Sequence, residues 1–411
     1  MLVLLTLCLS ACGASPVSTE VKETTEFICS LPLAEPDEGA SFADNFMKLT
    51  AGDGNRMVSP YSAKMCLALL ANGAKGETKQ QILDAIGISD LDAYNAEVKE
   101  TLARYETYAG VLSLNTANSL WLNQTIFDGK GEFLPDYRTR MQDFYYAEVR
   151  EVTSENSVEE VNAWAKEKTN GKIDSIFTED HRDFALALAN AVYFKAAWET
   201  PFEKYATKEG DFKNIDGTTS KLDFMNSTDR YGYYEGDGVK AVSLEYGRRG
   251  EKNGSSFYLA DKIYSFSMYF MLADGEFDVE KFLNEHAVFA EDTVHVSIPQ
   301  FELEYEVQMN DILKSLGMVD AFDEKKADLG AMVDLTGRNN LYVNDVLQKT
   351  YIKIDEEGTE AAAVTAIAVD ECAAIAIENP KEFIADRPFY FAIRDNTSGE
   401  LLFVGRYETA K

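Results

Sequence analysis

From Thr359 to Asn379 the chain carries neither Gly nor Pro, whereas long surface loops are normally punctuated by both. Its alternate positions Thr359, Ala361, Ala363, Thr365, Ile367 and Val369 are small or β-branched, the composition of one face of a buried strand. Glu360, Ala362, Val364, Ala366, Ala368 and Asp370 make the other face, which suits a neighbouring layer or water. An alanine-rich helix continuing from Ile354 is the alternative, weakened by Thr359 and by Val364, Thr365, Ile367 and Val369. Flanking acids and the charged run from Glu378 to Arg387 mark the region as exposed. A strand-competent segment left outside a sheet is an aggregation hazard unless lying outside is its purpose.

The rest of the chain bounds what that purpose is. At 411 residues with 45% hydrophobic content, it is long enough for a sizeable core in one large fold. A net charge of −31 leaves no basic stripe to neutralise phosphates, which excludes a nucleic-acid partner. No Cys-x-x-Cys or Cys/His pairing occurs, and His181, His286 and His295 are far apart, so neither a metal site nor a cofactor is expected. Gly73-Ala74-Lys75-Gly76-Glu77-Thr78 lacks phosphate-loop spacing, and there is no Gly-x-Ser-x-Gly elbow.

Leu2 to Leu9 is a short apolar run that ends in Leu9-Ser10-Ala11-Cys12. Small residues before a cleavage point read as an export signal over residues 1–11. Leu-Ser-Ala-Cys is also similar to a bacterial lipobox, in which Cys12 carries the lipid, although no Lys or Arg precedes Lys22. A plain secretory signal with an incidental Cys12 is the alternative. Residues 12–37, rich in Ser, Thr, Glu and Pro, read as a flexible tether before a domain over 38–411.

Within that domain, Phe42, Phe46 and Leu49 predict an amphipathic helix, and a second helix follows Ser59-Pro60-Tyr61-Ser62 through Leu70. A third starts at Thr78. Val111 to Leu122 predicts a strand, Val158 to Thr169 a helix, and the nearly all-apolar Ala185 to Trp198 a central strand buried on both faces. Asp223 to Ala273 alternates as hairpins do, with a long polar tip over Gly247 to Tyr264 that carries Arg248, Arg249 and Lys252. A tolerated insertion explains that tip more readily than a contact surface does.

Several stretches resemble one family in its own order. They are Ser59-Pro60-Tyr61-Ser62, Gly73 to Thr78, Ala117 to Trp121, Thr169-Asn170-Gly171-Lys172-Ile173, Asn190 to Trp198, Val294 to Phe301, Leu313 to Phe322, Asp386 to Phe391 and Leu402 to Arg406. Glu356-Glu357-Gly358-Thr359-Glu360-Ala361-Ala362-Ala363-Val364-Thr365 resembles the reactive-loop hinge of inhibitory serpins. The resemblance runs from Ser41 to Tyr407. It implies an α+β fold of three β-sheets with about nine helices and an exposed reactive loop over about 356–387.

The resemblance also implies a function: a non-enzymatic, monomeric suicide substrate of serine endopeptidases, whose cleaved loop inserts into the main sheet and traps the acyl-enzyme. The hinge is then Glu356, Gly358, Thr359, Glu360, Ala361, Ala362, Ala363 and Thr365, with Thr359 entering first and lying near the surface before cleavage. Ser59, Ser62 and Asn190 map to a polar cluster under the sheet, with Gln348 where the family usually has His, and Trp198 maps to the top of the sheet. Family spacing puts the cleaved bond between Cys372 and Ala373. Pro388 lies five residues farther on than in the family member counted against, which keeps Val369, Glu371 and Ile375 open as alternatives. A small P1 residue suits elastase-like or subtilisin-like serine proteases, with papain-like cysteine proteases as a further class. The expected location is a bacterial membrane lipoprotein (outer membrane or cell surface), held only by its lipid anchor, or otherwise a secreted protein. A non-inhibitory serpin serving as a binding or carrier module is the competing reading.

Overall fold

A computed structural model of the chain describes residues 35–410 apart from 51, 53, 109–111, 248, 253–254, 259–265, 335–339 and 360–378. The first part is α1 (Phe42–Leu49), β1 (Arg56–Val58), α2 (Pro60–Gly73), α3 (Gly76–Ala85), α4 (Leu91–Glu106) and β2 (Leu112–Asn123). Then come α5 (Pro135–Tyr145), β3 (Glu148–Val152), α6 (Ser157–Lys168), β4 (Leu186–Ala197), β5 (Lys208–Lys213), β6 (Thr219–Gly236) and β7 (Val239–Glu245). A hairpin of β8 (Arg249–Lys252) and β9 (Ser255–Tyr258) precedes β10 (Phe266–Leu272), α7 (Val279–Glu285), β11 (Ala290–Pro299), β12 (Phe301–Gln308) and α8 (Asn310–Ser315). The last elements are β13 (Val343–Asp355), β14 (Gly358–Thr359), β15 (Lys381–Ile384), β16 (Phe389–Asp395) and β17 (Leu401–Tyr407).

The helices begin where the side chains allow. Ser41 caps α1 by accepting from the Asp44 amide, and Asp90 caps α4 by accepting from Asp92 and Ala93. α2 starts with Pro60 at its first turn behind the Ser59 cap and is apolar almost all round, as a helix packed on every side must be. α2 runs past Leu70 to Gly73, and α3 starts at Gly76, two residues before Thr78.

Two large sheets hold the strands. The six-stranded sheet has the order β12-β13-β14-β4-β2-β3, and below β14 the strands β13 and β4 pair directly. The nine-stranded sheet runs β1-β17-β16-β10-β7-β6-β11-β15, with β5 also on β6. β8 and β9 form a two-stranded sheet by themselves. The expected three sheets therefore become two large ones and a hairpin among the described residues, because the single strand β6 pairs with β5 at its start, with β11 from Phe224 to Tyr233 and with β7 at its end. Eight α-helices are described, against about nine expected.

β4 is buried on both faces, and its alternation assigns each face to a different core. Leu186, Leu188, Val192, Phe194 and Ala196 join the large core between the sheets. Ala187, Ala189, Ala191 and Tyr193 join a smaller layer with Trp121, Val161, Trp164, Ala165 and Phe177. Val161, Trp164 and Ala165 lie on one face of α6 at i, i+3, i+4, so α6 lies on alanines and sits close to the sheet.

β17 passes between β1 and β16, and Gly405 is its tightest point. A Cβ there would come 2.3 Å from Phe391 Cζ and 2.8 Å from the Arg56 carbonyl oxygen. Gly405→Ala is expected to lower unfolding stability by about 1–3 kcal/mol, as overpacking does. A urea melt with an unchanged midpoint would contradict this packing.

Candidate functional site

β13 and β4 run parallel and pair from Val343 with Leu186 up to Tyr351 with Tyr193. Above that point they part, and β14 occupies the gap. The chain turns back at Glu356-Glu357, so that Thr359 lies opposite Ile354 on β13 and Ala196 on β4, antiparallel to both. Thr359 is fully buried, and its hydroxyl is 2.6 Å from the Tyr246 hydroxyl. The expectation that Thr359 lies near the surface is therefore wrong. The two strands have already separated, and a small β-branched residue fills the space while its one polar atom finds a buried partner.

The turn is held from several sides. The Trp198 indole N–H donates to the Asp355 carbonyl at 2.9 Å, and the Trp198 and Phe202 amides donate to the carbonyls of Glu357 and Glu356. Thr207 donates to the Glu356 carboxylate at 2.7 Å, and Lys204 pairs with Glu357 at 2.8 Å. Glu357 raises the Lys204 pKa through that hydrogen bond, while burial raises that of Asp355 despite the Glu357 amide bonded to it. Gly358 leaves no room for a side chain, since a Cβ would lie 2.2 Å from the Ala196 carbonyl oxygen.

Roughly 20 Å down the strands, from the rise per residue, lies a buried polar cluster. Gln348 and Asn190 face each other in register across β13 and β4. Gln348 Oε1 accepts from the Ser59 amide at 2.8 Å, and Nε2 donates to the Ser59 carbonyl at 3.0 Å and to Asn190 Oδ1 at 2.7 Å. Asn190 Nδ2 donates to Ser62 Oγ at 2.5 Å and to Asn118 Oδ1 at 2.6 Å. The Thr350 hydroxyl donates to the Met57 carbonyl at 3.0 Å. Three amides thus cross three strands, tied to the start of α2.

The segment leaving α6 covers this junction. Asn162 accepts from the amides of Ile176 and Phe177, and Lys349 reaches from β13 to the Ser175 carbonyl at 2.7 Å. Burial works against the Lys349 charge, but Glu304 and Glu306 at 2.8 and 3.3 Å outweigh it and hold the ammonium above its ordinary range.

The structure thus brings Ser59, Ser62, Asn190 and Gln348 into one hydrogen-bonded group and places Trp198, Glu356, Gly358 and Thr359 together at the upper opening. Glu360, Ala361, Ala362, Ala363, Thr365, Cys372 and Ala373 lie outside the described residues, as does Cys12. Sequence reasoning missed Asn118, although a polar residue inside an alternating apolar strand was a usable signal. It also missed Tyr246, Thr207 and Lys204, whose roles come only from tertiary contact. Among the described residues no group of three or more His, Cys, Asp or Glu side chains could hold a metal, and no helix is long and apolar enough to cross a membrane.

The family model described as "Serpin (serine protease inhibitor)" matches residues 39–409. Serpin-Z3 of Arabidopsis thaliana is 33% identical over 395 residues, covering 89% of this chain and 95% of that protein. Human leukocyte elastase inhibitor is 31% identical, covering 89% and 96%. The solved native structure of tengpin, a thermophilic serpin, superimposes with a TM-score of 0.77 at 30% identity, covering 92% of this chain and 96% of that one.

Gln348→Leu would leave the Ser59 amide and Asn190 Oδ1 without their partner in a dry site, while the Ser59 carbonyl keeps the Ala63 amide. Each buried orphan costs about 1–3 kcal/mol, so a loss of at least about 2 kcal/mol in a denaturant melt is expected. A neutral substitution would show that the cluster is not a closed network.

Proposed function

The chain belongs to the serpin family, and on that premise we propose that it is an exported suicide-substrate inhibitor of serine endopeptidases, with cysteine endopeptidases as a further class. The observation that carries the reading is Thr359 lodged between β13 and β4. An inhibitor of this kind needs a sheet that admits its own loop, and here the first strand residue already sits in place.

Family spacing supplies the bond attacked, and that geometry supports the course of insertion. The protease serine attacks the Cys372 carbonyl, the bond to Ala373 breaks, and the Ala373 amine leaves. The residue at the new end is held on the enzyme as an ester, and the segment after Thr359 is freed from its far attachment. Continuing the register of β14 takes each following residue one position down β4 and β13. Thr365 then falls opposite both Asn190 and Gln348, where its hydroxyl meets the two amides that would lose each other. Ala361 and Ala363 fall at the levels of Phe194 and Val192, where little space exists. The acylated enzyme is drawn along, and distortion of its active site stalls hydrolysis of the ester. All bond-making chemistry belongs to the target, so the inhibitor supplies no catalytic group.

A small residue at Cys372 fits elastase-like or subtilisin-like enzymes, and human leukocyte elastase inhibitor among the relatives points to the first. Mixing the protein with both enzyme types should give a complex that survives a denaturing gel, with a released fragment beginning at Ala373. Thr359→Arg must bury a charge without a partner, which costs several kcal/mol, so the hinge should leave the sheet while the domain stays folded. That variant is expected to be cut without trapping the enzyme. A complex at full yield from Thr359→Arg would overturn the insertion step, and no complex from the unaltered chain would favour the non-inhibitory binding module.

The Leu9-Ser10-Ala11-Cys12 sequence supports a lipid on Cys12 and a place at a bacterial membrane surface. Fatty-acid labelling in the native host should mark the protein, and detergent phase separation should carry it into the detergent. Unlabelled soluble protein would instead support secretion.

A further inference from the structure

We propose that Tyr246 is the latch that holds the hinge in the sheet before any protease arrives, and that its hydroxyl sets both the exposure of the loop and the speed of its insertion. The inference rests on the inhibitory reading above only for its kinetic consequence. The latch itself is a property of the uncut chain.

Tyr246 follows β7 and links the two sheets. Its amide donates to the Phe266 carbonyl on β10, and the next amide, that of Gly247, donates to the Ala197 carbonyl at the end of β4. The ring cannot turn away, because it stacks on Trp198 with centroids 4.8 Å apart and meets Phe194 edge-on at 5.0 Å. The backbone and both neighbouring rings therefore fix where the phenolic oxygen points. It points at Thr359, which is fully buried at 2.6 Å. Burial also raises the phenol pKa, so the group stays a neutral donor and acceptor at any physiological pH.

Deleting either hydroxyl removes this bond and leaves the other hydroxyl dry as long as the hinge stays in. Outside the sheet, Thr359 regains water. Losing the bond therefore shifts the balance toward the hinge-out form. One net hydrogen bond of about 1 kcal/mol corresponds to a factor of about five. With the hinge out, the loop is held at one point fewer and a protease reaches it faster. Insertion after cleavage must then begin from an empty gap, so a larger share of enzyme escapes by hydrolysis.

The test uses Tyr246→Phe, Thr359→Val, their combination, and the conservative Thr359→Ser. Without protease, hydrogen exchange at the Gly358 and Thr359 amides should quicken about fivefold or more in the first two variants. The double variant should exchange no faster than either single one and fall back toward the unaltered chain, because no hydroxyl is then left unpaired, and Thr359→Ser should stay close to the unaltered chain. Exchange in β16 and β17 should not change. With a protease that the unaltered chain traps, Tyr246→Phe should associate faster yet need more inhibitor per enzyme inactivated. Additive single effects, unchanged hinge exchange, or loosening spread through β7 and β10 would each overturn the latch. If the unaltered chain traps no protease, the inhibitory reading fails, and the exchange measurements still decide the latch.

Discussion

The parallel junction between β13 and β4 is the constraint around which the rest of the structure is arranged. Parallel neighbours need a long crossover, and these two strands are joined through residues 198–342, about a third of the chain, so either can move from the other without breaking a short turn. Their ladder is complete up to Tyr351 and Tyr193 and then gives way to β14. An arriving strand replaces one parallel contact with two antiparallel ones, each slightly more stable per residue. On the proposed mechanism that exchange favours the incoming strand at each rung it pairs on both sides, and attachment of the loop at both ends would hold it back before cleavage.

The packing on either side of the junction fits that exchange. Below it, Leu188, Val192 and Phe194 anchor β4 in the main core, and α2 presents Ser59 and Ser62 to the polar cluster. Above it, α6 rests on Ala187, Ala189 and Ala191, small side chains that let the helix sit close to the sheet. The segment leaving α6 is tied down both by hydrogen bonds from Asn162 and Lys349 and by the buried side chains of Ile173, Ile176 and Phe177. Polar bonds and apolar burial together hold the cover.

How far the sequence reveals this depends on the range of the interaction. β4 was legible because burial on two faces leaves a run of apolar residues with no polar side, and α6 because Val161, Trp164 and Ala165 repeat at helical spacing. Ser59, Ser62, Asn190 and Gln348 were found through family motifs; nothing local to any of them shows that they touch. The merging of two sheets through β6 was not legible, since strand pairing partners are set by tertiary register. The burial of Thr359 was misread for a physical reason. A residue close to Glu356 and Glu357 looks exposed in sequence, but those carboxylates lie in the turn, held by Thr207 and Lys204, and Thr359 enters the sheet beyond it. Only Tyr246, 113 residues away, supplies the polar partner that makes burial tolerable.

The polar cluster carries one departure from the family pattern that the geometry explains. The Ser59 amide needs an acceptor, while the Ser59 carbonyl and Asn190 Oδ1 need donors. A neutral imidazole offers one of each, and below its pKa it becomes a donor at both nitrogens and leaves the Ser59 amide facing a proton. Gln348 offers an acceptor oxygen with two lone pairs and two donor hydrogens, enough for all three partners at once. The other members, Ser62, Asn118, Asn190 and Thr350, are neutral as well. The bond that must open for a strand to pass therefore keeps the same strength across the physiological pH range. On the proposed mechanism the incoming Thr365 would meet this pair of neutral amides with no titrating group between them.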